Sequence, residues 1–197
     1  MAALTRGLWL LRSAVSYALA AAGPASATRL AVPTPCAGWD LGILLDHVAD
    51  SMGVLSEAIA AGTTASGWPA GGDPVVMLRC RAAGLLAACT DAGPDEHLVA
   101  IGDRWLPASM TAVAGALEIT VHGWDIAASC GHPRPVPPGL AAVLLPIAPL
   151  LVTPATRRGL FADPVRVPGR LVPGDQLVAF FGRGPRGQRK GRDHVQY

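Results

Sequence analysis

Charge is scarce in this chain of 197 residues: Asp, Glu, Lys and Arg together make up 15%, against 51% hydrophobic residues. That balance excludes an intrinsically disordered chain, which combines few apolar residues with many charges. Net charge is only +2, and much of the basic excess sits in the C-terminal stretch GRGPRGQRKGRDHVQY. The folded body therefore lacks the basic face that a nucleic-acid binder presents, and residues 184–197 are read as a disordered basic tail. The cysteines, Cys36, Cys80, Cys89 and Cys130, form no C-x-x-C pair, which excludes a zinc ribbon and a thioredoxin-type motif. Cys80 and Cys89 fall among alanines in a helical stretch and are expected to be small buried hydrophobes. No segment reaches the roughly 18 uncharged apolar residues that a membrane span needs. The stretch 140–152 is apolar, but it is short and interrupted by Pro146 and Pro149. There is no internal repeat and no heptad array.

The N-terminus offers an arginine, an apolar run and an Ala-Ser-Ala ending, as a secretory signal does. Arg12 interrupts that run, however. Leu4, Leu8, Leu11, Val15 and Ala18 recur at helical spacing and form a core-facing stripe. The stretch is therefore read as the first helix of a bundle, retained in a cytoplasmic protein with reduced cysteines.

What is present is mostly alanine, leucine and valine at helical period. A first helix is expected over 5–22, stopped by Gly23 and Pro24. A long proline-punctuated connection, ATRLAVPTPCAGWD, leads to Asp40 as the N-cap of a second helix over 41–61. Residues 62–72 form a Gly-, Thr-, Ser- and Pro-rich loop that contains Trp68. Asp73 and Pro74 then open a third helix to about residue 92. HLVAIGDRW, 97–105, is a short strand or an extended excursion. Pro107 begins a fourth helix that runs to Gly131. A fifth, over 138–151, is expected to bend at Pro146. Residues 161–170 read as extended and 173–181 as a short docking helix. The expectation is an all-α protein: a four-helix bundle with long connections over 1–153, a short α/extended appendage over 154–183, and the tail.

The fourth helix carries the chemistry. In AVAGALEITVHGWDIAASCG, Glu118 and His122 are four residues apart and stack on neighbouring turns, with Asp125 near the same face. Their neighbours are apolar or small, so a carboxylate and an imidazole there are costly to leave unpaired. Glu-x-x-x-His at this spacing is a suitable half-site for a divalent ion, and it is equally the spacing of a hydrogen-bonded surface pair. The other half-site candidate is His47 in LGILLDHVAD, on the second helix. Asp125 is either an acceptor that orients His122, or a cap, or the partner of Arg104 at the rim. Cys36 is either a nucleophile beside the metal or a structural residue of its proline loop. Trp39, Trp68 and Trp105 are candidates for a pocket mouth, and Arg104 and Arg79 for clamps on an acidic substrate. Asp46 and Asp50 flank His47 but point to solvent.

Three segments together resemble the DinB-like metal-binding bundles of actinobacteria, and in particular the maleylpyruvate isomerase N-terminal group. PTPCAGWDLGILLDHV is similar to that group's T-P-C-x-x-W … H-V segment. LEITVHGWDIAASCG is similar to its fourth-helix segment, and LFADPVRVP with PGDQLVAFFGR to its C-terminal end. The resemblance implies a four-helix bundle and a divalent metal, commonly zinc, with nickel, iron or manganese as alternatives. It implies His47, Glu118 and His122 as ligands, with positions left open as in a catalytic site. It further implies a low-molecular-weight thiol, mycothiol, as co-substrate in S-transfer or isomerisation of a small electrophilic metabolite. Two other readings stay open: a hydrolase or lyase using metal-activated water, and a non-catalytic metal-binding bundle. The residues after the fifth helix are too few for the isomerase's further domain, so that domain and maleylpyruvate isomerisation are expected to be missing. The expected partners are small molecules rather than nucleic acid or membrane, with a homodimer compatible with the reading.

Overall fold

The leucine stripe of the first helix decides which way that helix faces. Leu4, Leu8, Leu11, Val15 and Ala18 are all buried in α1, Ala3–Ala21. A computed structural model describes residues 2–62, 72–93, 95–101, 103–158, 161–166 and 172–184. Its described residues are mostly helical, with a single two-stranded sheet. They divide into two compact units, residues 1–136 and 137–197.

The first unit is a four-helix bundle. α2, Leu41–Ala61, starts where Asp40 accepts a hydrogen bond from the Ile43 amide at 2.9 Å, and ends at Gly62, which takes a left-handed φ of 66°. α3, Pro74–Asp91, is capped in the same way by Asp73, which accepts from the Val75 amide at 2.8 Å. The ambiguous stretch after it is a hairpin: β1, Leu98–Ile101, pairs antiparallel with β2, Arg104–Pro107. α4, Ala108–Ser129, follows at once. α1 packs on α4 and α3, and α2 packs on α3 and α4. α4 therefore touches two helices and is buried on nearly every side, as its mostly apolar sequence requires.

Two glycines of α4 let its neighbours approach. A Cβ at Gly115 would lie 2.5 Å from a methyl of Leu55 on α2, and one at Gly123 would lie 3.0 Å from the Tyr17 ring on α1. The absence of side chains there brings α1 and α2 close to α4, and with them the residues beside Glu118 and His122.

The second unit holds short helices: α5, Pro138–Leu144; α6, Ala148–Leu151; α7, Pro154–Arg157; and α8, Pro173–Phe180. The expected bend at Pro146 is a break. Proline has no amide to give, and the chain passes through a turn whose Ile147 amide reaches back only to Leu144. α8 packs on α5, Phe161 meets Phe181 edge-on, and the Arg157 guanidinium lies over the Phe180 ring. The helix at 138, assigned above to the bundle, thus opens this second unit.

Cys80 departs from expectation. Cys89 is buried, but Cys80 is exposed. At about 100° per residue the nine steps from Cys80 to Cys89 come to about two and a half turns, so the two side chains lie on opposite faces and cannot both face the core. Trp68, most of the basic tail and residues 167–170 lie outside the described residues. No helix among the described residues is long and apolar enough to cross a membrane.

Candidate metal centre

The loop before α2 is held in one shape by its own backbone. Val32 accepts from the Leu41 amide at 2.9 Å, and Pro33 and Asp40 form an isolated antiparallel bridge. Inside it, Thr34 Oγ1 accepts from the Cys36 amide at 3.1 Å and lies 3.0 Å from the Trp39 carbonyl, to which it can donate. Gly38 takes a φ of 80°, which a side chain disfavours. This tight turn places Cys36 and Trp39 against α4.

α2 supplies His47 and α4 supplies Glu118, His122 and Asp125. His47 Nε2 lies 2.8 Å from Glu118 Oε1, and His122 Nε2 lies 3.1 Å from the same oxygen. These three ligand atoms all lie within 4.8 Å of one another. On the far side of its ring, His122 Nδ1 lies 3.2 Å from Asp125 Oδ2. Cys36 Sγ lies 3.3 Å from that same Asp125 oxygen and 3.8 Å from His122 Nδ1. The Trp39 ring meets His47 edge-on at 4.8 Å and stacks towards His122 at 6.1 Å.

Depth is graded across the group. Asp125 is fully buried, the His122 side chain is 7% exposed, and those of Glu118 and His47 are 31% and 37% exposed. The Nδ1 side of His122 is thus sealed, and the side with three converging donors opens to solvent.

The charges follow from these contacts. Burial alone would raise the Glu118 carboxyl, but hydrogen bonds from His122 and His47 hold it well below the usual carboxylate range. Burial alone would discharge His122. Its hydrogen bonds with Asp125, Cys36 and Glu118 instead carry it well above the ordinary imidazole value. Tyr17, whose hydroxyl donates to the Arg134 carbonyl at 2.7 Å, has its phenol pushed up by burial first, with the nearby Asp125 charge adding to it.

Two imidazole nitrogens and one carboxylate oxygen, converging on one another and reachable from solvent, form a donor set that fits a divalent ion. Three protein donors leave coordination positions for other molecules. Among the described residues the other cluster of potential ligands is Cys36, His122 and Asp125, which uses the opposite nitrogen of the same imidazole.

His47, Glu118 and His122, picked out above on helical spacing, are therefore together. Of the alternatives for Asp125, the geometry takes the one in which it faces His122. Arg104 and Arg79 are both exposed, on β2 and α3. Trp105 is 64% exposed on the hairpin, whereas the Trp39 ring lies against His47 and His122. Asp46 and Asp50 are exposed, as their positions on α2 imply. Sequence reasoning passed over Tyr17, whose position beside Asp125 depends on α1 packing at Gly123. A separate open cleft of about 550 Å³, lined by residues such as Ile59, Ala88, Asp91 and His97, lies at the far ends of α2 and α3 from His47.

The model of the mycothiol maleylpyruvate isomerase N-terminal domain family matches residues 11–127. That span contains Cys36, Trp39, His47, Glu118, His122 and Asp125. Two uncharacterized proteins from two strains of Mycobacterium tuberculosis are each 29% identical to this chain over 170 residues, covering 80% of it and 86% of their own length. No solved structure matches the chain significantly.

Proposed function

Because the chain belongs to the mycothiol maleylpyruvate isomerase N-terminal domain family, we propose that it is a divalent-metal-dependent enzyme. In this reading it uses mycothiol for S-transfer to, or isomerisation of, a small electrophilic metabolite. The observation that carries the proposal is the convergence of His47 Nε2, Glu118 Oε1 and His122 Nε2 at the solvent-facing side of the bundle. A divalent ion held there, zinc in the first instance, would favour the thiolate form of a bound thiol, which is the active nucleophile.

The remaining steps belong to the chain's own residues. His122 is held from behind by Asp125, so its ring cannot turn away from Glu118. Trp39 covers one side of both imidazoles with an apolar wall and limits water there. His47 and Glu118 sit at the rim, so a small substrate can approach without the bundle opening. A reducing cytoplasm suits this chemistry and the four free cysteines.

The test is a conjugation assay on purified protein of measured metal content, with a small electrophile and mycothiol. Turnover is expected only when both metal and thiol are present. Turnover of an ester or amide without thiol would replace this reading with metal-activated water. Metal binding without any turnover would make the protein a non-catalytic bundle.

A further inference from the structure

Cys36 is not one of the three converging donors, yet it is placed with as much care as they are. Its Sγ lies 3.3 Å from Asp125 Oδ2, the oxygen that also faces His122 Nδ1 at 3.2 Å. One oxygen of a fully buried carboxylate is thus held between a thiol and an imidazole. The loop that delivers the thiol is braced by Thr34 Oγ1, by the Pro33–Asp40 bridge and by the left-handed turn at Gly38. Cys36 and Asp125 face Nδ1 of His122, while Glu118 faces Nε2. The two ring nitrogens point in different directions, so Sγ sits behind the imidazole and not among the three converging donors.

We propose that Cys36 is a positioning residue of the metal centre: its S–H donates to Asp125 Oδ2 and fixes that carboxylate against His122 Nδ1, so that Nε2 stays aimed at Glu118 and His47. The proposal rests on the metal-binding reading above. A carboxylate is free to rotate about its last bond, and two donors converging on one oxygen remove that freedom. The longer reach of sulfur suits the 3.3 Å separation. As a weak, uncharged donor, the thiol leaves His122 as the carboxylate's dominant partner. Thr34 then matters because it holds the cysteine, and through it the ligand, in place.

Zinc affinity of the full chain, measured by competition with a chromogenic chelator, tests this. Cys36→Ser keeps a donor and is expected to bind within about threefold of the parent chain. Cys36→Ala is expected to bind about tenfold more weakly, with the same circular dichroism. In an Asp125→Ala background, Cys36→Ala should cause no further loss, because the cysteine acts through Asp125. Unchanged affinity in Cys36→Ala, an equal loss in Cys36→Ser, or an undiminished loss in the Asp125→Ala background would each overturn the proposal. So would a sulfur-to-cobalt charge-transfer band in the cobalt-loaded chain that disappears in Cys36→Ala, since the thiolate would then be a ligand. That measurement holds even if Cys36→Ala folds poorly, because Cys36→Ser can stand in for it. A parent chain that binds no metal would instead overturn the metal reading itself, and this proposal with it.

Discussion

Asp125 and His122 are three residues apart on one buried helix, and their side chains meet at 3.2 Å on the face of the imidazole turned away from Glu118. A histidine held in this way has one nitrogen committed and one free to point. The same helix supplies both partners, so the relationship is built into α4 and needs only a neighbour with His47 to complete a donor set.

Metal binding should depend on His122 without the fold depending on metal. The bundle has its own core, in which Leu11, Leu44, Leu45, Leu78 and Ile119 are fully buried, unlike a zinc finger that folds only around its ion. His122→Ala should lose both the ion and activity while keeping helical circular dichroism. A variant that unfolds would make the site structural, and one with full activity would move the chemistry elsewhere.

Asp125→Asn keeps the shape of Asp125 but removes its charge. It should bind metal ~10- to 100-fold more weakly and remain folded. Isothermal titration with zinc would measure this. An affinity equal to that of the parent chain would show that His122 is held by packing alone.

The metal-free protein should be most stable at mildly acidic pH. Glu118 has its folded pKa depressed, so its contribution is present above its ordinary value of 4.5 and is lost as pH falls through the folded value. His122 has its folded pKa raised, so its contribution is full below 6.5 and is lost as pH rises through the folded value. The window between 4.5 and 6.5 is where both contribute in full. Urea denaturation of chelator-treated protein across a pH series should show the maximum there, and Glu118→Gln should flatten it. Stability that climbs steadily from pH 6 to pH 9 would contradict the pairing.

The close approach of α2 to α4 predicts an unusual cost for a helix-favouring change. Alanine for glycine in a helix ordinarily stabilises by roughly 0.5–1 kcal/mol. At Gly115 the new Cβ would meet both Leu55 methyls at 2.5 and 2.6 Å. Gly115→Ala should therefore destabilise, by about 1–3 kcal/mol. The cost should shrink when Leu55 is shortened to alanine in the same chain, as a double-mutant cycle would show. A net stabilisation by Gly115→Ala would mean that the Leu55 side chain swings aside from the new methyl.

The cysteines should label in a set order. Cys80 is exposed and should react first with a maleimide. Cys89 is buried and its thiol is pushed up to about 11, by burial first, with Arg12 opposing the rise. It should react only on unfolding, as should the buried Cys130. Cys36 should fall between, and bound metal should slow it by stiffening the group around His122. Peptide mass spectrometry at timed intervals would give the order, and early labelling of Cys89 would contradict the orientation of α3.

Much of this protein was legible before its fold, because local chemistry is enough for helices of this kind. The leucine stripe of α1, the caps at Asp40 and Asp73, and the four-residue spacing of Glu118 and His122 depend only on near neighbours in the chain. They set where the bundle helices lie and which faces go inward. The opposite facing of Cys80 and Cys89 was equally local, and composition obscured it. Other features depended on contacts between residues far apart in sequence. Whether His47 met Glu118, and whether Cys36 came up against Asp125 or stayed merely in its loop, depended on how α2 and the loop before it pack on α4. No local pattern carries that information: the approach is permitted by two missing side chains, at Gly115 and Gly123, whose value appears only when Leu55 and Tyr17 arrive from other helices.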